Sequence, residues 1–177
     1  LGLVNFEVRT MFRNIVRKWF GAATSTYNDF VKALLSGDVD AMNEYMNHVA
    51  EMTFSSFDTG IRPSNAEPER FYHGFVLGLL VELAGKYVLT SNRESGFGRY
   101  DVMLEPLKKD TDDGIIIEFK VFKPKKEKSL EDTVRAALEQ IEDKKYASSL
   151  IARGVPEKKI RKYGFAFRGQ EVLIGEG

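Results

Sequence analysis

The sequence predicts an α/β fold, a mixed β-sheet flanked by helices. Three observations lead to it. Apolar residues recur with helical period through the first half of the chain. Strand-like runs bounded by turn residues follow from Tyr87 onward. From Glu67 the order of elements is helix, three strands, helix, two strands, which describes an αβββαβ core with one extra terminal strand.

Phe6, Met11, Phe12, Ile15, Val16 and Trp19 recur at steps of three and four, one apolar stripe on a helix that ends near Gly21. Short helices are expected from Tyr27 to Leu35 and from Val39 to Met52, with Gly37 as breaker and Asp38 as N-cap. These make residues 1–62 a helical N-terminal layer packed on a core of residues 63–177. After the loop Thr59 to Ser64, a longer helix from Glu67 to Lys86 opens with acidic residues suited to its positive dipole end. Its Gly74 and Gly78 lie four apart on one face, open to a neighbouring backbone. Strands are expected at Tyr87 to Thr90, Tyr100 to Glu105 and Ile115 to Phe122, with Ser91 to Arg99 as a turn and Lys108 to Gly114 as a hairpin connection. One helix from Leu130 to Arg153 then runs to the stop Gly154-Val155-Pro156, and Tyr163 to Arg168 and Glu171 to Ile174 form a hairpin across Gly169-Gln170.

A chain of 177 residues that is 43% hydrophobic and 12% aromatic has the make-up of one soluble globular domain. With no cysteine it has neither disulfides nor thiolate metal sites. No apolar run approaches the roughly 18 residues of a membrane span, and Leu1 to Asn5 lacks the pattern of a signal peptide, so a cytoplasmic setting is expected. The start at Leu1 instead of methionine leads to the expectation of a longer parent chain or a trimmed one. Net charge is zero but unevenly spread. Residues 120–168 hold 14 Lys and Arg against 7 Asp and Glu, an excess of seven positive charges, whereas residues 1–62 hold 6 against 7. A basic region suits a phosphate backbone. For Lys123, Lys125, Lys126 and Lys128 around Pro124, a solvated loop is the competing reading.

The chemistry is written in Ile115-Ile116-Ile117-Glu118-Phe119-Lys120-Val121. Side chains alternate along a strand, so Glu118 and Lys120 share one face while Ile117, Phe119 and Val121 share the other. The hairpin connection would set Asp101 beside Glu118. Mg²⁺, or Mn²⁺ in its place, is held by carboxylate and carbonyl oxygens, usually through one or two protein carboxylates plus water and substrate phosphate. Asp101 and Glu118 meet that demand, with the Phe119 carbonyl as a third oxygen, and Lys120 is placed to orient an attacking water. The turn ahead of Asp101 presents Arg93 or Arg99 to a phosphate, although Arg99 equally has Glu94 and Glu105 as partners. Its Gly-x-Gly is not followed by a helix, which removes a dinucleotide or P-loop reading. Asp112-Asp113-Gly114 lacks the spaced acids of a calcium loop. His73, one turn from Glu69, would line the same site.

Asp101 followed by Glu118-Phe119-Lys120 resembles the pattern of the PD-(D/E)XK nuclease superfamily, with Tyr100 where the motif has proline. Glu69 to Leu80, Ser91 to Asp101, Ala137 to Ile141 and Tyr146 widen the resemblance to the nuclease-like C-terminal domain found behind an AAA-ATPase-like domain in many bacterial proteins. The resemblance implies a restriction-endonuclease-like core, metal-dependent hydrolysis of nucleic-acid phosphodiesters with DNA as substrate, and an upstream AAA-ATPase-like partner. It also implies that Glu69 helps bind the metal and that Gln140 lies near Lys120, with Tyr146 in the same motif. For Glu69 the other reading is a first-turn glutamate favoured by the helix dipole, and for Tyr146 a packing role. The alternative to catalysis is a nuclease-like module that binds nucleic acid, or regulates an attached ATPase, without cutting.

Overall fold

The computed structural model describes residues 27–55, 67–95 and 98–177, so the stripe from Phe6 to Trp19 lies outside the described residues. The described chain runs α1 (Tyr27–Ser36), α2 (Val39–Ser55), α3 (Glu67–Leu80), a 3₁₀ turn (Val81–Gly85), β1 (Tyr87–Ser95), β2 (Gly98–Pro106) and β3 (Gly114–Val121). It continues through α4 (Leu130–Asp143), α5 (Ala147–Ala152), β4 (Ile160–Arg168) and β5 (Glu171–Glu176). The strands form one sheet in the order β1-β2-β3-β4-β5. Only β3 and β4 are parallel, because α4 and α5 carry the chain back across the sheet between them; the other neighbours are antiparallel. This is the mixed α/β sheet that the order of elements predicts. Among the described residues no helix is long and apolar enough to cross a membrane.

Strand alternation divides the core in two. Val102, Leu104, Ile115, Ile117, Phe119, Phe165 and Phe167 face one way and pack with Phe30, Leu34, Met42 and Met46 of α1 and α2 and with Tyr72, Phe75 and Leu79 of α3. Tyr72 stacks on Phe167 at 4.3 Å between ring centroids. Met103 and Ile116 face the other way, against Ile141 of α4, Leu150 of α5 and Tyr146 between them. The α1–α2 corner follows the expected chemistry. Gly37 adopts φ 77°, a conformation that costs glycine little, and Asp38 caps α2 by accepting the Ala41 N–H at 3.0 Å.

The outer edge of β5 would offer unpaired backbone groups to any other strand. Asparagines one turn apart on α2 take them up. Asn43 donates to the Ile174 carbonyl at 3.0 Å and accepts its N–H at 2.8 Å; Asn47 does the same for Val172 at 2.8 and 3.0 Å. Each amide pairs as another strand would, which also fixes α2 on the sheet.

The structure corrects three expected elements. Residues 91–95 and 98–99 are not a turn but paired strands of β1 and β2, with Ser95 opposite Gly98 and Glu94 opposite Arg99; their polar composition resembles a loop because β1 is an edge strand. The helix from Glu67 tightens to 3₁₀ at Val81. The helix from Leu130 ends at Asp143, where Lys145 takes φ 49°, and α5 starts afresh. No glycine or proline marks that break. It turns Tyr146 inward to 1% exposure, and burial of the ring offsets a left-handed lysine.

At the far end of this face, Glu105 of β2 receives Arg153 at 2.8 Å and Lys109 at 3.2 Å. Burial alone would raise the Glu105 pKa, but hydrogen bonds from Arg153 and Lys109 outweigh it and hold the carboxyl below the ordinary glutamate value.

Replacing Asn43 and Asn47 together by alanine strips four backbone bonds from β5 and should lower unfolding free energy by about 2 to 4 kcal/mol in urea titrations. The depressed Glu105 pKa means that its ion pairs stabilise the fold above the unfolded-state glutamate pKa and lose that effect as pH falls through the folded-state value. Glu105→Gln should therefore melt below wild type at about pH 7, with the gap closing toward about pH 3.

Candidate active site

The site forms where β2 and β3 stop pairing. Their ladder runs from Leu104 opposite Ile115 to Val102 opposite Ile117. One residue further on, the Asp101 carboxylate takes over, accepting the Phe119 N–H through Oδ2 at 2.9 Å. A backbone donor of β3 is thus satisfied by a side chain of β2, which ties that carboxylate to the strand carrying Glu118 and Lys120.

Glu118 and Lys120 point to the face covered by α4, on the same side as Ile116. Glu118 is 3% exposed, an exceptional burial for a carboxylate, and such a group needs compensating hydrogen bonds. Gln140 on α4 supplies one, its Nε2 donating to Glu118 Oε1. The carbonyl end of the same amide accepts Lys120 Nζ at 2.6 Å. Ammonium, amide and carboxylate therefore form one polar chain in which each group donates to the next. The Tyr146 hydroxyl lies 3.4 Å from Gln140 Nε2. Burial raises the Tyr146 pKa, Gln140 opposes the shift, and the negative charges of Glu118 and Asp101 add to it. The same hydroxyl thus feels the charge of both carboxylates.

Gln140 reaches across because α4 lies unusually close to the sheet. A Cβ on Gly164 would stand 2.8 Å from the Val134 carbonyl oxygen and 3.1 Å from Ala137 Cβ. Its cross-strand partner Gly175 would place one 2.6 Å from Val134 Cγ1. Larger residues here would push α4 outward and carry Gln140 away from β3. Gly164 and Gly175 were not among the expected site residues. A glycine inside a strand is the sequence signal for such an approach.

The other expected residues are spread over several elements. Glu69 lies in the first turn of α3. Arg93 and Arg99 belong to the β1–β2 hairpin, opposite Tyr100 and Glu94. Lys123 is exposed on the segment that leaves β3. One position differs from expectation, and another takes the packing role weighed for it. His73 lies on the face of β3 opposite to Glu118 and Lys120, its ring 5.1 Å from that of Phe119 and its Nε2 3.0 Å from Ser91 Oγ. Tyr146 is packed among Ile141, Leu150 and Val155, so its ring offers no surface to a nucleic acid and its hydroxyl supports Gln140 from below.

The donor set suits a hard cation. Two carboxylates and a neighbouring backbone carbonyl present only oxygen, and Mg²⁺ characteristically takes one or two carboxylates and completes its shell with water and phosphate. Among the described residues no three His, Cys, Asp or Glu side chains come together, as an all-protein metal cage would require.

The chain belongs to the PD-(D/E)XK nuclease superfamily, whose family model matches residues 67–177. The match starts with α3 and takes in the whole sheet, α4 and α5, hence Asp101, Glu118, Lys120 and Gln140. Members of this superfamily are in general nucleases and phosphodiesterases that use divalent metal ions, and the five-stranded mixed sheet agrees with their restriction-endonuclease-like fold. No curated protein matches the chain.

Gln140→Ala would leave a buried carboxylate and an ammonium without the amide that joins them. It should reduce stability by about 1 to 3 kcal/mol in denaturant unfolding, and Gln140→Glu, which sets a second carboxylate against Glu118, by more.

Proposed function

We propose that this chain is a nuclease domain that hydrolyses DNA phosphodiester bonds with Mg²⁺ or Mn²⁺. The observation that carries the reading is the hydrogen-bonded chain from Lys120 through Gln140 to Glu118, on the strand to which Asp101 is bonded. Asp101, Glu118 and the Phe119 carbonyl would hold the cation. Bound there, it would lower the pKa of a water and offset charge on the phosphoryl oxygens.

The protein groups have separable tasks. Lys120 has three N–H donors, of which Gln140 takes one; the others orient the nucleophilic water and a phosphoryl oxygen. Gln140 fixes the ammonium at one distance from the Glu118 carboxylate, so water and cation meet in a set geometry. Glu69, from the first turn of α3, assists at the metal. Arg93 and Arg99 on the β1–β2 hairpin and Lys123 beyond β3 hold the substrate backbone. DNA as the substrate, a bacterial source and an AAA-ATPase-like domain upstream in the parent chain are carried by the family resemblance.

Cleavage of supercoiled plasmid, linear DNA and RNA in Mg²⁺ or Mn²⁺ tests the reading. Wild type should cut DNA, and Glu118→Ala and Lys120→Ala should each lower the rate on the order of 10²- to 10³-fold. Equal activity in both variants would overturn the catalytic roles. DNA binding in EDTA without cleavage under either metal would point to the non-catalytic module instead.

A further inference from the structure

We propose that the turn from Lys123 to Lys128 is a preformed clamp for the nucleic-acid phosphate backbone beside the site, and that Glu127 is the positioning residue that sets it. The proposal deepens the nuclease reading, since it takes nucleic acid to be the substrate. The turn leaves β3 three residues after Lys120 and leads into α4, which carries Gln140. Three residues span at most about 10 Å, so these lysines begin within about three phosphate spacings of Lys120 along one strand.

The turn is stiff. Pro124 stands where its ring pre-sets a β-turn, and the Lys123 carbonyl accepts both Lys126 N–H and Glu127 N–H at 2.9 Å. A single oxygen of Glu127, Oε2, accepts the Lys123 N–H at 2.7 Å and the hydroxyl of buried Thr133 on α4 at 2.7 Å. At the other end, Asp132 Oδ2 accepts the Lys128 N–H at 2.9 Å. Both ends of the turn are thereby tied to α4.

The orientation matters as much as the stiffness. The segment contains four lysines and one acid; Lys123, Lys125, Lys126 and Lys128 are all exposed, while the Glu127 carboxylate is turned back onto backbone and Thr133. The acid therefore organises the turn and leaves its outer face uniformly cationic. A solvated lysine loop needs no such anchoring. An ordered one binds phosphates with a smaller entropy cost on association.

Two opposite expectations separate this role from simple charge. Removing Glu127 makes the protein more positive, so charge alone predicts tighter DNA binding, whereas loss of the anchor predicts weaker binding. The measurement is fluorescence anisotropy of a labelled DNA duplex in EDTA, titrated with KCl. Glu127→Ala should bind on the order of 3- to 10-fold more weakly than wild type. Glu127→Gln, which keeps an acceptor oxygen, should restore binding to within about twofold. Lys125→Gln with Lys126→Gln should weaken binding and reduce the salt slope by about one for each phosphate that is no longer neutralised. Unchanged or tighter binding by Glu127→Ala, an unchanged salt slope in the lysine variant, or no binding by wild type would overturn the clamp. Wild-type cleavage in Mg²⁺, measured separately, decides the nuclease reading. Cleavage with an indifferent turn sinks the clamp alone, and turn-dependent binding without cleavage sinks the enzyme alone.

Discussion

The amide of Gln140 is the interaction on which the site depends. A glutamate at 3% exposure within an apolar strand is costly unless its charge is met by hydrogen bonds, and Lys120 stands two residues further along the same face. Gln140 joins the two, donating to one and accepting from the other. The amide can do this only if α4 lies close to β3 and β4, which is why glycines stand at positions 164 and 175, where side-chain carbons would collide with Val134. The end of α4 at Asp143 serves the same arrangement, since the turn that follows brings the Tyr146 hydroxyl beneath the amide.

The sheet separates its tasks by face. The side carrying Phe119, Phe165 and Phe167 is sealed by α1, α2 and α3 into a continuous apolar core. The opposite side is apolar around Met103 and Ile116 and again around Ala166, and it also carries the polar groups of Asp101, Glu118 and Lys120. One strand thus contributes to packing through odd-numbered residues and to the polar site through Glu118 and Lys120. That explains how a charged pair persists in so apolar a segment: neighbouring strands and helices hold the backbone on both sides, and the polar groups satisfy one another.

The same economy holds at the margins. Asn43 and Asn47 close the β5 edge with side-chain amides, and Glu127 closes the turn after β3 with one carboxylate oxygen. In each case a polar side chain satisfies backbone groups of a strand or of the turn beyond it. The asparagines lie more than a hundred residues from β5 in the chain, whereas Glu127 acts on its own turn.

Local chemistry determined much of this in advance. Period-two alternation put Glu118 and Lys120 on one face, the turn residues between Glu105 and Ile115 brought Asp101 alongside, and Gly37-Asp38 marked a helix boundary that the structure keeps. Each of these depends on neighbours within a few residues, which a sequence displays directly. Tertiary structure decided the rest: that residues 91–95 and 98–99 pair as strands despite their polar composition, that the helix breaks at Lys145 without glycine or proline, that His73 falls on the far face and that Tyr146 is buried. Those outcomes are set by which surfaces meet. Cross-strand pairing, burial of an aromatic ring and the approach of α4 over Gly164 gain their free energy from partners distant in the chain, and no local pattern records them.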